Sequence, residues 1–476
     1  MQKKKLLSLK RLLWLAAAFV LVFVVRYLWV SLPIITGYSA KMACSCQYLG
    51  GRSLESVQQE ELGKSPLSLA SLENNRADSS VTATVFGLAA KKAIFREGLG
   101  CTLVNELPED TIRSQSVLLP APAPGDPDTI PWPLGDRLPD SLPAGIDRQQ
   151  LDAALQAAVR EQHPEAPVRT RAVVVLYKGQ LIGEAYAPGY DRHSRHLSWS
   201  MAKSVTSALV GVLVRMGKLD PDAPAPVPGW RSVTDGREKI TLRHLLQQTS
   251  GLDFEENYSK STDATRMLFE KADMGGYTAT RELREAPGSR FYYSSGNTNI
   301  LSGIIRRTLG DAGYYRFPAD SLFHLIGIRS MVLEPDASGS FVGSSYAFAN
   351  ARDWARFGLL YLQEGQWQGR QLLPKNWVHA SRTPVPVAKR GEYGYQFWLN
   401  AGVDGQPASR PFPSLPVDLF YADGYEGQFV FIIPSRELVL VRLGQSAYGN
   451  FDTEAFVNSF LNVLPDTAGR VQDTNQ

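Results

Sequence analysis

Apolar positions along the chain follow three patterns, and each predicts a different kind of element. The first pattern is continuous. Leu12 to Val25 is uninterrupted apolar sequence, Arg26 breaks it, and it resumes from Tyr27 to Ile35. Fourteen apolar residues suit the core of a signal peptide, whereas the whole stretch of 24 is long enough to cross a bilayer with Arg26 snorkelling to an interface. Lys3, Lys4, Lys5, Lys10 and Arg11 precede it and no small-x-small cleavage site follows. The reading is therefore an uncleaved signal-anchor over residues 1–36, its basic flank cytoplasmic and the rest of the chain periplasmic at an inner membrane. A cleaved, secreted form is the alternative.

The second pattern is short alternation. Val81-Thr82-Ala83-Thr84-Val85-Phe86 and Lys92-Ala93-Ile94-Phe95 predict strands in a small unit spanning 37–107. Residues 108–146 hold nine of the thirty prolines and predict a stiff, extended linker. The third pattern mixes strand and helix periods. Strands are predicted at 172–177 and 180–186, followed by a helix on Met201, Val205, Ala208, Leu209, Val212, Leu213 and Met216 with Gly217 as its stop. A mostly helical stretch then runs to about residue 385, and strands return at 393–397, 428–433 and 438–443. Strands at both ends of a helical insertion predict an α/β (α+β) domain over 147–466: one antiparallel sheet flanked by helices, and a mostly helical second lobe. A polar tail, 467–476, closes the chain.

Composition narrows the function classes. With 44% hydrophobic and 20% charged residues and a net charge of +3, the chain can bury a large core and lacks the basic excess of a nucleic-acid binder. No zinc-finger spacing, Walker-type loop or internal repeat occurs in the sequence, so no cofactor or metal is expected. The three cysteines all precede the main domain, and in an oxidising compartment Cys44 or Cys46 is available to Cys101, with Cys44–Cys101 as the candidate pair.

The chemistry concentrates at Ser200-Met201-Ala202-Lys203, the one Ser-x-x-Lys in the chain. Positions three apart share a helix face, so the Lys203 amine reaches the Ser200 hydroxyl and supplies the base that a weak alcohol nucleophile needs. Such a spacing arises by chance roughly once or twice in a chain of this size. Its setting carries the weight, because an unpaired ammonium in the first turn of an apolar helix is costly to bury. A Ser-His-Asp elbow is absent, since Gly444-Gln445-Ser446 lacks the second glycine. His193 and His196 read as a solvated pair rather than metal ligands, His244 as a packing or capping residue, and Arg352 and Asp353 as ion-pairing residues that open a helix.

With Tyr190-Asp191, Ile240 to Leu246, Thr249 to Leu252, Tyr293-Ser294-Ser295, 351–358 and Gly424-Tyr425-Glu426-Gly427-Gln428 in order, residues 147–465 resemble the beta-lactamase-related serine hydrolases. The likeness is greatest to the class C and 6-aminohexanoate-dimer hydrolase branch. The resemblance implies a beta-lactamase/transpeptidase-like fold and an acyl-enzyme on Ser200. It gives Tyr293 the proton delivery to the leaving group, with Tyr292 the rival phenol, and it puts Ser295 where class C enzymes carry asparagine. Whether Lys203 acts as a neutral base, or as a cation supporting an ionised Tyr293, stays open at this level.

The oxyanion needs two backbone donors, expected from Ser200 and from Gln428 after the close-packing Gly427. Trp199, Ser295, Tyr425 and Glu426 complete the expected substrate-binding set. Tyr425 stands where relatives present a cation and Glu426 follows it, so a neutral or cationic small-molecule amide or ester is the expected substrate. The alternatives are a D-alanyl carboxypeptidase or beta-lactamase acting on cell-wall-type substrates, and a non-catalytic receptor or scaffold.

Overall fold

The computed structural model describes residues 2–161, 165–404, 406–447 and 449–465, so the expected polar tail lies outside the described residues. The chain opens with one long helix, α1 (Gln2–Tyr48). Its apolar side chains from Leu12 to Phe23 and from Val25 to Val30 stand exposed, whereas Thr36, Ser39, Ala40, Lys41 and residues 42–46 are buried in the body of the protein. The helix thus runs unbroken through residue 36, where the anchor was expected to end. It is the one helix among the described residues long and apolar enough to cross a membrane, and a signal sequence has the same character.

Four antiparallel strands wrap the buried end of α1: β1 (Ala70–Asn75), β2 (Ser80–Val85), β3 (Leu88–Arg96) and β4 (Gly100–Leu103). Val81, Ala83 and Val85 of β2 turn inward, as period-two alternation requires. Cys44 and Cys101 form a disulfide that ties α1 to β4, and Cys46 remains a buried free thiol. The Lys41 ammonium pairs with the Glu334 carboxylate of the main domain, both fully buried, so the small unit is bonded to the body behind it.

The proline-rich segment departs from the extended linker expected. It contains a short helix, Glu109–Arg113, and its carbonyls are bound by the main domain: Arg329 Nη1 donates to Gly125 O at 2.8 Å, and Arg356 to Pro133 O and Gly135 O at 2.7 Å each. Proline removes backbone donors but leaves every carbonyl available, and the half-buried Arg329 and the buried Arg356 take them up.

The main sheet has the order β12-β13-β14-β15-β5-β6. It is built from β5 (Thr170–Tyr177), β6 (Gln180–Tyr186), β12 (Trp398–Leu399), β13 (Phe420–Gly424), β14 (Gln428–Ile433) and β15 (Leu438–Gly444), all antiparallel. Between these come a small sheet of β7 (His196–Leu197), β9 (Ala347–Ala349) and β8 (Val332–Leu333), and a hairpin of β10 (Gln366–Trp367) and β11 (Arg370–Gln371). β5 is buried on both faces. Val173, Val175 and Tyr177 pack on the helices Arg148–Val159 and Thr453–Leu461, while Ala172, Val174 and Leu176 join the core of the helices Met201–Arg215 and Ala351–Leu362. That is the antiparallel sheet flanked by helices that the pattern predicts, with the helical second lobe inserted between β6 and β12.

The strand expected over 393–397 does not form. Gln396 takes a left-handed φ of 60° and sends its side chain to Leu246 O at 2.8 Å, leaving a single bridge from Tyr393 to Trp398. His244 caps its helix, its Nδ1 accepting from Thr241 N at 3.1 Å, and Arg352 donates to Glu184 at 2.8 Å.

Candidate active site

Ser200 is delivered by a forced turn. Ser198 is fixed by its N–H to Ala347 O at 2.8 Å, Trp199 takes a left-handed φ of 46°, and Ser200 then stands at the N-terminus of the helix Met201–Arg215 with its side chain free of any capping bond. A bulky residue at positive φ costs about 1–3 kcal/mol and persists only where its surroundings over-determine it. Here three rings do so: Tyr38 of α1 stacks on Trp199 at 6.0 Å, Tyr346 lies at 6.3 Å and Tyr425 meets it edge-on at 5.7 Å.

One turn along the helix, Lys203 is 1% exposed and its ammonium nitrogen has three partners. It lies 3.0 Å from Ser200 Oγ and 3.0 Å from Ser295 Oγ, and donates to Ser344 O at 2.9 Å. Burial pulls its pKa from 10.5 down to about 8, against the opposing pull of the Glu256 and Asp423 carboxylates. The Tyr293 ring lies 4.8 Å from Lys203 Nζ. Burial first, then Tyr393, drives the Tyr293 hydroxyl well above the usual phenol range. Tyr393 and Trp398 hold the ring at 6.0 and 5.3 Å. Tyr292, the rival phenol, faces elsewhere and accepts from Glu256 N at 3.0 Å.

Ser295 begins the helix Ser295–Leu309 and is fully buried. Its hydroxyl donates to Glu256 Oε1 at 2.5 Å, its N–H donates to Glu256 Oε2 at 2.9 Å, and Tyr258 OH lies 3.1 Å away. Sequence reasoning missed Glu256, Ser344 and Asp423. Loss of hydration raises Asp423 to about 7, with Lys203 pulling it back. An acidic residue at the end of a strand, one position before Gly424, was the available signal for Asp423; Glu256 and Ser344 sit on loops without a period to mark them.

The turn after β13 carries the rest of the expected substrate-binding residues. Gln428 pairs with Gly424 at the start of β14, and its side chain is committed to the backbone of Gly444, accepting from Gly444 N at 3.0 Å. Gly424 is the residue against the serine turn: a Cβ there would stand 2.1 Å from Ser198 O. Gly427, at φ 83°, packs on Arg442, where a Cβ would come within 2.4 Å of the guanidinium. Glu426 turns away to accept from Gln445 Nε2 at 3.1 Å, and burial raises it to about 7. Tyr425 stays at the rim, 56% exposed.

The two histidines also separate. His193 is exposed, whereas His196 is buried beside Tyr190 and pushed down to about 3, a neutral core residue rather than half of a solvated pair. Among the described residues no group of three or more His, Cys, Asp or Glu side chains is placed to hold a metal.

The chain matches the beta-lactamase family over residues 152–458. It is 25% identical over 300 residues to the 6-aminohexanoate-dimer hydrolase of Paenarthrobacter ureafaciens, a match covering 58% of this chain and 72% of that protein. Among solved structures, a candidate 6-aminohexanoate-dimer hydrolase from Bacillus anthracis superimposes with a TM-score of 0.53 at 22% identity, covering 72% of this chain and 89% of that one. A penicillin-binding protein homologue from Caulobacter crescentus does so with a TM-score of 0.52 at 14% identity, covering 69% and 100%. These structural likenesses are likenesses of fold. The matched span holds Ser200, Lys203, Tyr293 and the β13–β14 turn, and leaves α1 and the four-stranded sheet outside it. On that match the chain belongs to the beta-lactamase family, within the serine-hydrolase superfamily.

Proposed function

We propose that the protein is a serine hydrolase that opens amide or ester bonds through an acyl-enzyme on Ser200. One observation carries the reading: a buried Lys203 amine 3.0 Å from the Ser200 hydroxyl, with its pKa pulled to about 8. Near neutrality roughly a tenth of such an amine is uncharged, with two N–H bonds for Ser344 O and Ser295 Oγ and a lone pair for the Ser200 proton. That favours Lys203 as the base. A phenol raised as far as Tyr293 stays protonated, which suits it to donate.

Ser200 Oγ attacks the carbonyl carbon while its proton passes to Lys203. The oxyanion is received by the Ser200 N–H and by an N–H at the end of β13, which we assign to Tyr425 because Gly424 abuts the serine turn. Collapse breaks the C–N or C–O bond as Tyr293 gives its proton to the leaving group. Water then attacks the acyl ester, losing a proton to the Tyr293 phenolate, and the departing Ser200 oxygen recovers its proton from Lys203.

The charges that act on Lys203 are Glu256 and Asp423, both acidic, which favours a neutral or cationic substrate over a carboxylate-terminated lactam or peptide. We also propose that α1 anchors the enzyme with its active site outside the inner membrane; a cleaved secreted form is the alternative. Fluorophosphonate labelling, together with turnover of a short-chain p-nitrophenyl ester, tests the chemistry. Both should vanish in Ser200→Ala while thermal unfolding is unchanged, and a variant that still labels or turns over near the native rate removes Ser200 from its role. A non-catalytic scaffold would give no labelling in the native protein either.

A further inference from the structure

Three large apolar side chains crowd one end of the small N-terminal sheet: Phe86 is 79% exposed, Leu88 59% and Leu69 45%. Strand register brings them together. Leu69 precedes Ala70, Ala70 pairs with Val85, and Val85 pairs with Leu88 across the two-residue turn Phe86–Gly87. Folding does not call for phenylalanine there. Both turn residues have positive φ, 52° and 74°, a geometry that suits Asn-Gly and strains an aromatic residue.

The direction of this end is fixed by α1. Thr36 Oγ1 donates to Ala89 O at 2.6 Å, at the start of β3, and the Tyr48 ring stacks on Phe95 at 5.0 Å, near its end. β3 therefore runs alongside α1 in the same sense, and the hairpin turn lies on the N-terminal side of Thr36. At about 3.3 Å per strand residue and about 1.5 Å per helix residue, it is level with roughly residues 32–34 of α1. That is where α1 passes from its buried part, at Leu32, to the exposed apolar run that ends at Val30. The hairpin end and the apolar helix form one continuous apolar surface. The helix is long enough to span a bilayer, and that continuity identifies the occupant as lipid rather than a second copy of the chain.

We propose that Leu69, Phe86 and Leu88 form a collar that seats on the bilayer around the emerging α1 and holds the Ser200 cleft at headgroup depth, so that the enzyme takes an amphiphilic ester or amide directly from the membrane. The substrate half rests on the serine-hydrolase reading; the lipid contact does not. Tyr38, which stacks on Trp199 beside Ser200, lies about 6–9 Å along α1 beyond the level of the collar, the thickness of a headgroup layer. An acyl chain can therefore stay in the bilayer while its carbonyl reaches Ser200.

The test uses the full-length protein in phosphatidylcholine vesicles. A polarity-sensitive fluorophore attached to Phe86→Cys reports the collar, since Cys46 is buried and the other two cysteines are bonded. Blue-shifted emission that is quenched by bromolipids is expected. Water-like emission, or a blue shift that bromolipids do not quench, overturns lipid docking, the latter by showing a protein neighbour. In the same vesicles, Phe86→Asp/Leu88→Asp should lower turnover of a long-chain ester held in the bilayer, relative to a water-soluble short-chain ester, by roughly tenfold or more, the scale of one buried apolar side chain. An unchanged ratio overturns the delivery of substrate from the membrane. Absence of Ser200-dependent short-chain turnover in the native protein would instead count against the serine-hydrolase reading and leave the fluorescence result standing.

Discussion

Replacing Glu256 by glutamine should move the pH profile of the enzyme downward. Glu256 Oε1 is 2.5 Å from Ser295 Oγ, and Lys203 Nζ is 3.0 Å from the same oxygen, which sets the carboxylate and the amine no more than about 5.5 Å apart. At an effective dielectric of about 20, unit charges at that separation interact by about 3 kcal/mol, equivalent to roughly two pH units. Glu256 is half-buried, and screening by solvent reduces the expectation to roughly one unit.

The sign follows from the role of the group. Burial lowers Lys203 to about 8 and the carboxylate opposes the fall, so removing the charge lets the amine fall further. A base works in its neutral form, so kcat/KM rises with pH through the Lys203 pKa, and in Glu256→Gln that rise should come about one unit earlier. At pH 6.5 the variant should be several-fold faster, while its plateau at high pH should be equal or lower because a weaker base abstracts a proton less readily. Glutamine is isosteric and can still accept from Ser295 N, so a loss of packing would scale the profile without displacing it. The assay is kcat/KM for a short-chain p-nitrophenyl ester from pH 5.5 to 9.5. A midpoint that stays put, or moves up, refutes the assignment of Lys203 as the base.

Tyr293→Phe should lower the acylation rate with an amide by about 10²- to 10⁴-fold yet slow the first-turnover burst of p-nitrophenolate from an ester much less, because that leaving group departs without a proton, whereas steady-state turnover of both falls through loss of the base for water; equal losses in the two acylation rates would take the leaving-group role away from Tyr293. Lys41→Met should destabilise the protein by about 3–5 kcal/mol by stranding the buried Glu334 carboxylate, which also accepts from Ser45 and from Cys101 N, and Lys41→Met/Glu334→Gln should recover most of the lost thermal stability. A single variant that melts with the native protein shows that the pair contributes nothing. Tyr425→Lys places a cation on the exposed rim beside Trp199 and should improve kcat/KM for a carboxylate-bearing ester by up to roughly tenfold over its neutral match; no change in that ratio means that the rim does not meet the substrate carboxylate.

Much of the scaffold was legible because its elements are long and of uniform pattern. β5, β14 and β15 are near-continuous apolar runs, and the serine helix keeps its period to Gly217, whose φ of 68° ends it. The shorter and more polar pieces escaped. A single left-handed residue, Gln396, cancels a strand that its aromatic neighbours suggest. Hydropathy falls at residue 36, but the helix continues to Tyr48 because Ala40, Met42, Ala43 and Cys44 have the four-stranded sheet to pack against. The site divides in the same way. Ser200 and Lys203 share one helix turn and could be read from spacing. Glu256 reaches Ser295 across 39 positions and Lys203 reaches Ser344 across 141, distances at which no local pattern survives. Counting along Tyr425 to Gln428 likewise does not reveal that Gly424 is the residue against Ser198 O.

Trp199 joins the two parts of the molecule that the sequence presents separately. Its left-handed backbone sets the direction of Ser200, and that conformation is held by rings from outside the serine helix. One of them, Tyr38, belongs to α1, in a segment that lies before the family match begins. Phe269 packs edge-on against the same tyrosine at 5.6 Å, and the Cβ expected on Gly37 would stand 2.9 Å from the Phe269 Cβ, so α1 has little room to slide along the body. Behind it, Lys41 with Glu334 and Cys44 with Cys101 fix the depth of the helix. The N-terminal helix is therefore a structural member of the serine site as well as an apolar segment. A force that tilts α1 acts first on Trp199, and through the strained peptide on the angle at which Ser200 meets Lys203.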